Sequence, residues 1–254
     1  MTAKTTPMEG TDVDHESLDE AEISRYEGMT LLRVTIGGSS PMLQHRVPPE
    51  TLMKIWNKEK ASKNAANPEP KDQALIHLYR DEVNDPECKV PVLPLDNLFA
   101  SLRAAGRFVR LQGKSMVSTR KDTQLPGLMG LVSYVPKVAG LDAATQGIVD
   151  GVCGAYLPLL HRVKGTLAGW QTDIRPARNQ TGELVVAIRP RFDSWSLRLR
   201  IWVDQGEFPI EKARQIFDIA GSRIGVGSFR PEKKGTYGRF QVDEWKVLTG
   251  PGKA

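Results

Sequence analysis

The 254-residue sequence predicts an α+β fold with a ferredoxin-like core, large insertions and a long glycine-rich loop before the last strand. Segments in which apolar and polar residues alternate are typical of strands. Segments in which apolar residues recur every three or four positions are typical of helices. With the insertions left out, these segments follow the order strand, helix, strand, strand, helix, strand. That order is the split β-α-β arrangement of ferredoxin-like domains, which RRM-type domains also use.

Four segments supply the predicted strands of this core. In the third of them, leucine, isoleucine and valine side chains occupy one face, while Arg198 and Arg200 lie on the other. A run of glycine, serine and proline at 37–41 ends the first strand. The strands are Met29 to Ile36, Leu184 to Arg189, Leu197 to Val203 and Arg239 to Leu248.

Two segments supply the predicted helices. Leu95 to Gly113 has the clearest helical pattern, and Pro209 to Ala220 is a second helix that Gly221 ends. Four cations of the first helix follow one another at spacings of four, three and four, which places them on one face. We interpret this face as phosphate-binding, and a solvated basic surface is the simpler alternative. The four cations are Arg103, Arg107, Arg110 and Lys114.

A glycine-rich segment joins the second helix to the last strand, from Gly221 to Phe240. A plain connection would need only about 2–6 residues. Glycine lets a backbone approach another molecule closely, and interleaved arginine and lysine supply charge for a phosphate. The segment therefore predicts an anion-binding loop. Its glycines are Gly225, Gly227, Gly235 and Gly238, and its cations are Arg223, Arg230, Lys233, Lys234 and Arg239.

Five aromatic residues lie close in sequence to arginines. Arginine binds phosphates and stacks on nucleic-acid bases, and aromatic rings stack on bases as well. Arg198 and Arg200 are therefore further candidate nucleic-acid contacts, and the arginines concerned are Arg191, Arg198, Arg200, Arg230 and Arg239. We expect at least three of the five to be buried in the core. Phe229 and Tyr237, within the loop, are then the better candidates for stacking on bases. The five are Trp195, Trp202, Phe229, Tyr237 and Trp245.

Charge is distributed unevenly along the chain. Residues 1–27 hold eight acidic and two basic residues, a net charge of −6, and the rest of the chain carries +11. We expect an acidic, disordered head at 1–27 and one RRM-like domain at 28–250, with insertions at about 42–90 and 115–170. Residues 9–27 either cover the basic groove until nucleic acid or a neighbouring subunit displaces them, or are a solubilising leader.

Several enzyme and metal signatures are missing from the sequence. Two cysteines without CxxC spacing and four scattered histidines predict neither a metal site nor another cofactor. Six residues separate Gly106 from Gly113 where a P-loop has four. We expect no membrane contact, no signal peptide and a cytoplasmic location, because the sequence has no long apolar run and no basic start followed by one.

Three segments resemble the RAMP superfamily, and most closely the backbone subunit of CRISPR effector complexes or its relatives in phages and mobile elements. They are Ile36 to Arg46 (IGGSSPMLQHR), Val90 to Arg107 (VPVLPLDNLFASLRAAGR) and Ile224 to Val242 (IGVGSFRPEKKGTYGRFQV). The resemblance implies a subunit that polymerises along a guide RNA, with the arginine of the proline-led helix facing nucleic acid. It adds Arg46 to the candidate contacts.

We therefore expect a non-catalytic subunit that binds single-stranded RNA or DNA, RNA being the first choice. Its expected partners are copies of itself, arranged head to tail, and other subunits of a ribonucleoprotein complex. RNA-cleaving members of the superfamily use an aspartate after the first strand, and no acid lies between Ile36 and Glu50. Two alternatives remain: a metal-independent RNA-processing endonuclease using His45 and Tyr237, and an assembly protein whose basic loop contacts an acidic protein.

Overall fold

The computed structural model describes residues 28–249, apart from 60–67, 88, 112, 114, 134–137, 139, 153 and 179–181. Within these residues the protein is a mixed α+β structure with antiparallel sheets and six α-helices. The predictions about the acidic head at 1–27 and about Lys114 lie outside the described residues.

Strands and short helices are mixed along the described part of the chain, and four strands in succession precede the sixth helix. A 3₁₀ turn follows the third helix, a π-helical turn follows the sixth, and a second 3₁₀ turn precedes the last strand. The strands are β1 (Thr30–Gly38), β2 (Met42–Leu43), β3 (Val92–Pro94), β4 (Met129–Ser133), β5 (Tyr156–Pro158), β6 (Gln171–Arg178), β7 (Leu184–Phe192), β8 (Ser196–Val203) and β9 (Phe240–Thr249). The helices are α1 (Pro49–Trp56), α2 (Pro70–Ile76), α3 (Leu95–Ala105), α4 (Leu125–Leu128), α5 (Ala143–Asp150) and α6 (Ile210–Ile219), and the turns are Gly106–Phe108, Ala220–Ile224 and Pro231–Lys233.

A four-stranded sheet with the order β4-β8-β1-β9 forms the centre of the protein, and every neighbouring pair is antiparallel. β1 pairs with β8 without interruption, from Thr30 opposite Val203 to Gly37 opposite Ser196. Its pairing with β9 shifts register twice. Because opposite residues share a face, the alternation in β1 and β8 gives the sheet one apolar face and one face rich in arginine.

The apolar face packs against α3 and α6. Leu32, Val34 and Ile36 of β1 belong to the same buried cluster as Leu102 of α3 and Phe217 of α6. This cluster holds most of the core and sets the position of the residues that follow each helix. A smaller cluster, built around Val92 and Val149, lies beneath β3, β5 and α5. None of the described helices is long and apolar enough to span a membrane.

The predicted strand at Leu184 to Arg189 forms, but it lies outside the four-stranded sheet. It is part of β7, which pairs with β6 and β2 in a separate three-stranded sheet. The place beside β8 is taken by β4, within the stretch 115–170 that we expected to be an insertion. β4 is only five residues long and includes Gly130, so its alternation is too short to be recognised in the sequence.

The helix predicted at Leu95 to Gly113 is shorter than expected. α3 ends at Ala105, a 3₁₀ turn covers Gly106–Phe108, and Val109 is already extended. Glycine weakens a helix interior, so Gly106 is a natural place for the helix to end. Arg110 consequently pairs with Met116 in an isolated bridge and does not share a helical face with Arg103, which corrects the predicted row of four helical cations.

Candidate nucleic-acid interface

The glycine-rich loop (residues 225–239) is a folded arch attached to the chain that follows β1. The Val226 amide donates to the Gly238 carbonyl (2.9 Å), and the Gly238 amide donates to the carbonyl of Pro41 (2.8 Å). The Ser228 amide donates to the carbonyl of Leu43 in β2 (2.7 Å). These bonds connect both sides of the arch to a single support, so the loop is held in place by the sheet and is not a loose flap.

The four predicted glycines are required by the arch itself. Gly225, Gly227 and Gly238 have φ of 77°, 74° and 71°, in the left-handed region that favours glycine. A Cβ atom at Gly235 would lie 1.7 Å from the carbonyl oxygen of Phe229, on the opposite side of the arch. We expected these glycines to let the backbone approach another molecule. In the structure Gly225, Gly235 and Gly238 let the two sides of the loop approach each other, and Gly227 lets the loop approach the Leu43 carbonyl of β2.

Phe229 and Tyr237 lie side by side in the arch and surround an arginine from β6. Their ring centroids are 6.1 Å apart, and the Phe229 side chain is 43% exposed. The Arg175 guanidinium lies 4.6 Å from the Tyr237 ring and 5.9 Å from the Phe229 ring, and donates to the Tyr237 hydroxyl (2.6 Å). We call these three residues the aromatic–arginine cluster. It combines exposed π surface with a positive charge, which suits stacked bases and their phosphates.

Phe229 has a left-handed backbone, with φ of 52°. This conformation costs a non-glycine residue about 1–2 kcal/mol. Such strain persists only where the surrounding structure imposes it, and it is common at binding sites. Here the hydrogen bond from the Tyr237 amide to the Phe229 carbonyl (3.2 Å) holds the backbone that presents the exposed ring.

Arg175 belongs to a group of three arginines arranged around one buried carboxylate. Asp173 accepts hydrogen bonds from Arg175 to both of its oxygens (2.5 Å each), and Arg191 lies 3.6 Å away. The hydrogen bonds from Arg175 to Asp173 raise the pKa of Arg175 above its ordinary value. Burial and then the charge of Arg175 lower the pKa of Arg189. Arg191 also pairs with Asp193, at 2.8 Å. Three guanidinium groups therefore face two carboxylates, Asp173 and Asp193, and the group keeps an excess positive charge that an anion would offset.

Sequence reasoning did not select Arg175 and Arg189, and it mentioned Arg191 only as a neighbour of aromatic residues. Arg189 and Arg191 are two residues apart on β7, so they share one face of the hairpin, and Arg189 lies opposite Asp173 of β6. This period-two spacing of charges was visible in the sequence. Its meaning depended on the β6–β7 pairing, and on the contact that brings Tyr237 to Arg175.

A second group of cations lies at the end of α3, in the first turn of α6 and in the segments that follow these two helices. The Arg223 guanidinium lies 5.7 Å from the Phe108 ring centroid, next to Arg107 in the chain. The Arg239 guanidinium donates to the Ser222 carbonyl, and the Lys212 ammonium donates to the Arg110 carbonyl. We call this group the cationic band; sequence reasoning missed only Lys212. Its members are Arg103, Arg107, Arg110, Lys212, Arg223 and Arg239.

The band and the cluster are joined by the loop. Tyr237 of the cluster and Arg239 of the band are two residues apart, so their Cα atoms are separated by at most about 7 Å. Arg103, Arg107 and Arg110 have exposed side chains, and so do Arg223 and Arg239. Lys233 and Lys234 are also exposed, in the 3₁₀ turn and at its end. The loop thus connects the aromatic–arginine cluster to a set of exposed cations.

Two predicted cations are paired with carboxylates of their own. Arg46 lies 2.5 Å from Glu82, which Arg80 also approaches at 3.4 Å. Arg230 lies 2.7 Å from Glu232 and also donates to the Gly227 carbonyl (3.1 Å). A phosphate would have to share these guanidinium groups with the existing partners, so they are weaker candidates than the members of the band.

Arg198 and Arg200 lie elsewhere, on the sheet face turned away from α3 and α6. They stand opposite Thr35 and Arg33 of β1.

Of the five aromatic residues, Trp195 and Trp202 are buried and Trp245 is partly buried against Phe217, so the expectation of at least three buried rings is wrong by one. No three histidine, cysteine, aspartate or glutamate side chains among the described residues come together in a way that could hold a metal ion.

No family model matches the chain, and no curated protein matches it by sequence. One similar solved structure is a chain in the cryo-EM structure of the Type III-B Cmr-beta bound to cognate target RNA. It is 11% identical, with a TM-score of 0.40, and the alignment covers 87% of the present chain and 61% of the other. The present chain therefore spans about three fifths of that chain's length.

Proposed function

We propose that this protein is a non-catalytic subunit that binds single-stranded nucleic acid, with RNA as its first ligand. The observation that supports this most is the rigid arch, which places two aromatic rings and Arg175 next to the cationic band. Arginine and lysine bind the phosphates, and the rings stack on bases of any sequence. Such a surface favours binding that tolerates different sequences and weakens with salt.

We also propose that the central sheet and its two helices form a ferredoxin-like core of the kind that the RAMP superfamily uses. The elements β1, α3, β4, β8, α6 and β9 follow one another as strand, helix, strand, strand, helix, strand. Their strands lie in the order second, third, first, fourth, with antiparallel neighbours. This order supports the proposal, together with the three sequence segments that resemble backbone subunits of CRISPR effectors.

The endonuclease alternative has less support. Partial burial, the neighbouring His77 ring and the Arg189 guanidinium lower the pKa of His45 to about 4. An imidazole with this pKa is neutral at pH 7 but too weakly basic to be an efficient general base. The Tyr237 hydroxyl already accepts a hydrogen bond from Arg175. We therefore propose binding without cleavage.

Self-association is part of the proposal. Head-to-tail contacts that do not close into a ring generate filaments, which suits a subunit repeated along a strand. α1 exposes apolar side chains of the kind that a subunit contact would cover, and Trp56 is 81% exposed. Other subunits of a ribonucleoprotein complex are proposed partners as well.

A salt titration tests the proposed function directly. We expect the affinity for a 20-nucleotide single strand to fall linearly on logarithmic axes. The slope should be near −4 if six cations contact phosphates, because each contact contributes about −0.7. Mixed and homopolymeric sequences should differ little. Affinity that ignores salt would contradict the proposal, and cleavage of labelled RNA in EDTA would support the endonuclease alternative.

Phe229 gives a test of stacking. Replacing Phe229 by alanine should weaken binding of the single strand about tenfold, because one stacked base contributes about 1–3 kcal/mol. An abasic strand of equal length should bind both proteins equally, since it retains only the phosphate contacts. Val83→Ala, which also shortens an exposed apolar side chain, serves as the control. Equal losses with both strands would mean that Phe229 does not contact bases.

A further inference from the structure

The middle strand of the three-stranded sheet, β7, carries an arginine that lies between two contacts of the glycine-rich loop. Arg189 stands opposite Asp173 of β6, so its side chain is on the same face as Arg175, two residues further along β6. On one flank of β7, the loop is bonded to the Leu43 carbonyl of β2. On the other flank, the Tyr237 hydroxyl of the loop accepts a hydrogen bond from Arg175. Arg189 therefore lies on the strand between these two contacts.

Arg189 differs from the other two arginines of its group because no carboxylate is paired with it. Arg175 pairs with Asp173 (2.5 Å), and Arg191 pairs with Asp193 (2.8 Å). None of the ion pairs within the described part of the chain includes Arg189, and its Nε atom, which is shielded from water, has no hydrogen-bond partner there. The side chain as a whole is partly exposed, so a ligand can approach it from solution.

The charge of Arg189 is poorly compensated in the protein alone. Burial first, and then the charge of Arg175, lower the pKa of Arg189, and the attraction of Asp173 is the smallest of the three effects. A guanidinium that is partly removed from water and has no partner costs stability. The fold therefore retains a cation at a position where folding by itself does not favour one.

Arg175 can contribute donors to the same ligand. An arginine has five N–H donors, and Arg175 uses three of them, from Nε and Nη2, in its hydrogen bonds to Asp173 and Tyr237. The two N–H groups of Nη1 have no acceptor among the described residues. The guanidinium is also held 5.9 Å from the exposed Phe229 ring. A ligand of Arg175 therefore lies close to the ring that we propose for base stacking.

We propose that Arg189 and the Nη1 atom of Arg175 together bind one phosphate group of the strand whose base stacks on Phe229. The β6–β7 hairpin then holds the phosphate of a nucleotide, and the loop holds a base beside it. This assignment rests on the proposed function, because the strand supplies the phosphate. The affinity of the two guanidinium groups for an oxyanion does not, since sulfate offers oxygens in the same tetrahedral arrangement.

Sulfate tests the site without nucleic acid. Sodium sulfate replaces sodium chloride at constant ionic strength, and the melting temperature of the full chain is recorded. At ten times its dissociation constant, sulfate should raise the melting temperature by about 3–6 °C. Arg189→Met should lose this increase. Arg120→Met, which removes an arginine from an exposed position outside the group, should keep it.

The comparison of these two variants is the decisive result, because sulfate also stabilises proteins in general. Equal increases in Arg189→Met and Arg120→Met would overturn the oxyanion site. An increase that only Arg189→Met lacks would support it.

The melting temperature without sulfate distinguishes a binding role from a structural one. Arg189→Met should melt at the temperature of the unmodified protein or a few degrees higher, because it removes an uncompensated charge and keeps the apolar part of the side chain. A decrease of more than a few degrees, or a failure to fold, would mean that Arg189 stabilises the sheet. Either result would overturn the proposal.

Binding of a single strand identifies the ligand. Arg189→Met should weaken binding of the 20-nucleotide strand about tenfold and reduce the steepness of its salt dependence by about 0.7. An abasic strand of equal length should lose the same factor, since it keeps its phosphates. A loss confined to the strand with bases would mean that Arg189 stacks on a base, and would overturn the assignment to phosphate.

The sulfate and strand measurements separate the possible failures. A sulfate effect without any binding of the strand would refute the proposed function and the assignment to a strand phosphate, and would leave the oxyanion site in place. Strand binding that Arg189→Met does not change would refute the inference and leave the proposed function intact.

Discussion

Replacing Arg103, Arg107 and Arg110 together by glutamine is expected to weaken binding of a single strand about 100-fold at 0.1 M salt. All three side chains are exposed and belong to the cationic band. Each lost phosphate contact lowers the steepness of the salt dependence by about 0.7, so the slope should change by about 2. Because exposed side chains contribute little to folding, the melting temperature should change by only a few degrees.

The matched control replaces Lys54, Lys71 and Lys164 by glutamine, which removes the same charge from exposed positions outside the band. Fluorescence anisotropy at three or more salt concentrations measures both affinity and slope. We expect the control to retain the slope of the unmodified protein. If both triple variants lose affinity equally, the attraction comes from the total charge of the protein, and the band is not an interface.

The long strands of the central sheet could be predicted because each buries one complete face. β1 and β8 alternate over eight or nine residues, and their apolar sides meet α3 and α6. β4 could not be predicted, because it is a five-residue edge strand whose pairing with β8 depends on the tertiary fold. β7 begins with five consecutive apolar residues, Leu184 to Ile188, and nothing local in β7 or β8 specifies which sheet each strand joins.

The site was predictable where its candidate binding residues lie close together in the sequence. The glycines and cations of residues 225–239 indicated a binding loop, although the glycines act by allowing the loop to fold on itself. The aromatic–arginine cluster joins Arg175 to Tyr237 across 62 residues, which no local pattern indicates. The ion pairs that occupy Arg46 and Arg230 were likewise not foreseeable, since an exposed glutamate has no sequence signature that assigns its partner.

Gly235→Ala is expected to disrupt the glycine-rich loop while leaving the core folded. The added Cβ would lie 1.7 Å from the Phe229 carbonyl oxygen and 2.2 Å from its carbonyl carbon. These are backbone atoms, so the contact can be relieved only if the two sides of the arch separate. Separation breaks the hydrogen bond from the Tyr237 amide to the Phe229 carbonyl and moves both rings out of their positions. The loss of two stacking positions should weaken binding by about 30-fold or more.

Gly147→Ala is the control for this variant. Gly147 lies within α5, where an added Cβ meets no other atom within 4 Å, and alanine at such a helical position stabilises by about 0.5–1 kcal/mol. Affinity of the Gly147→Ala protein should be unchanged. Circular dichroism should show that Gly235→Ala keeps its secondary structure, because neither Phe229 nor Gly235 belongs to the core cluster. If that variant binds nucleic acid normally, the arch is not part of the interface, and binding must be assigned to the cationic band alone.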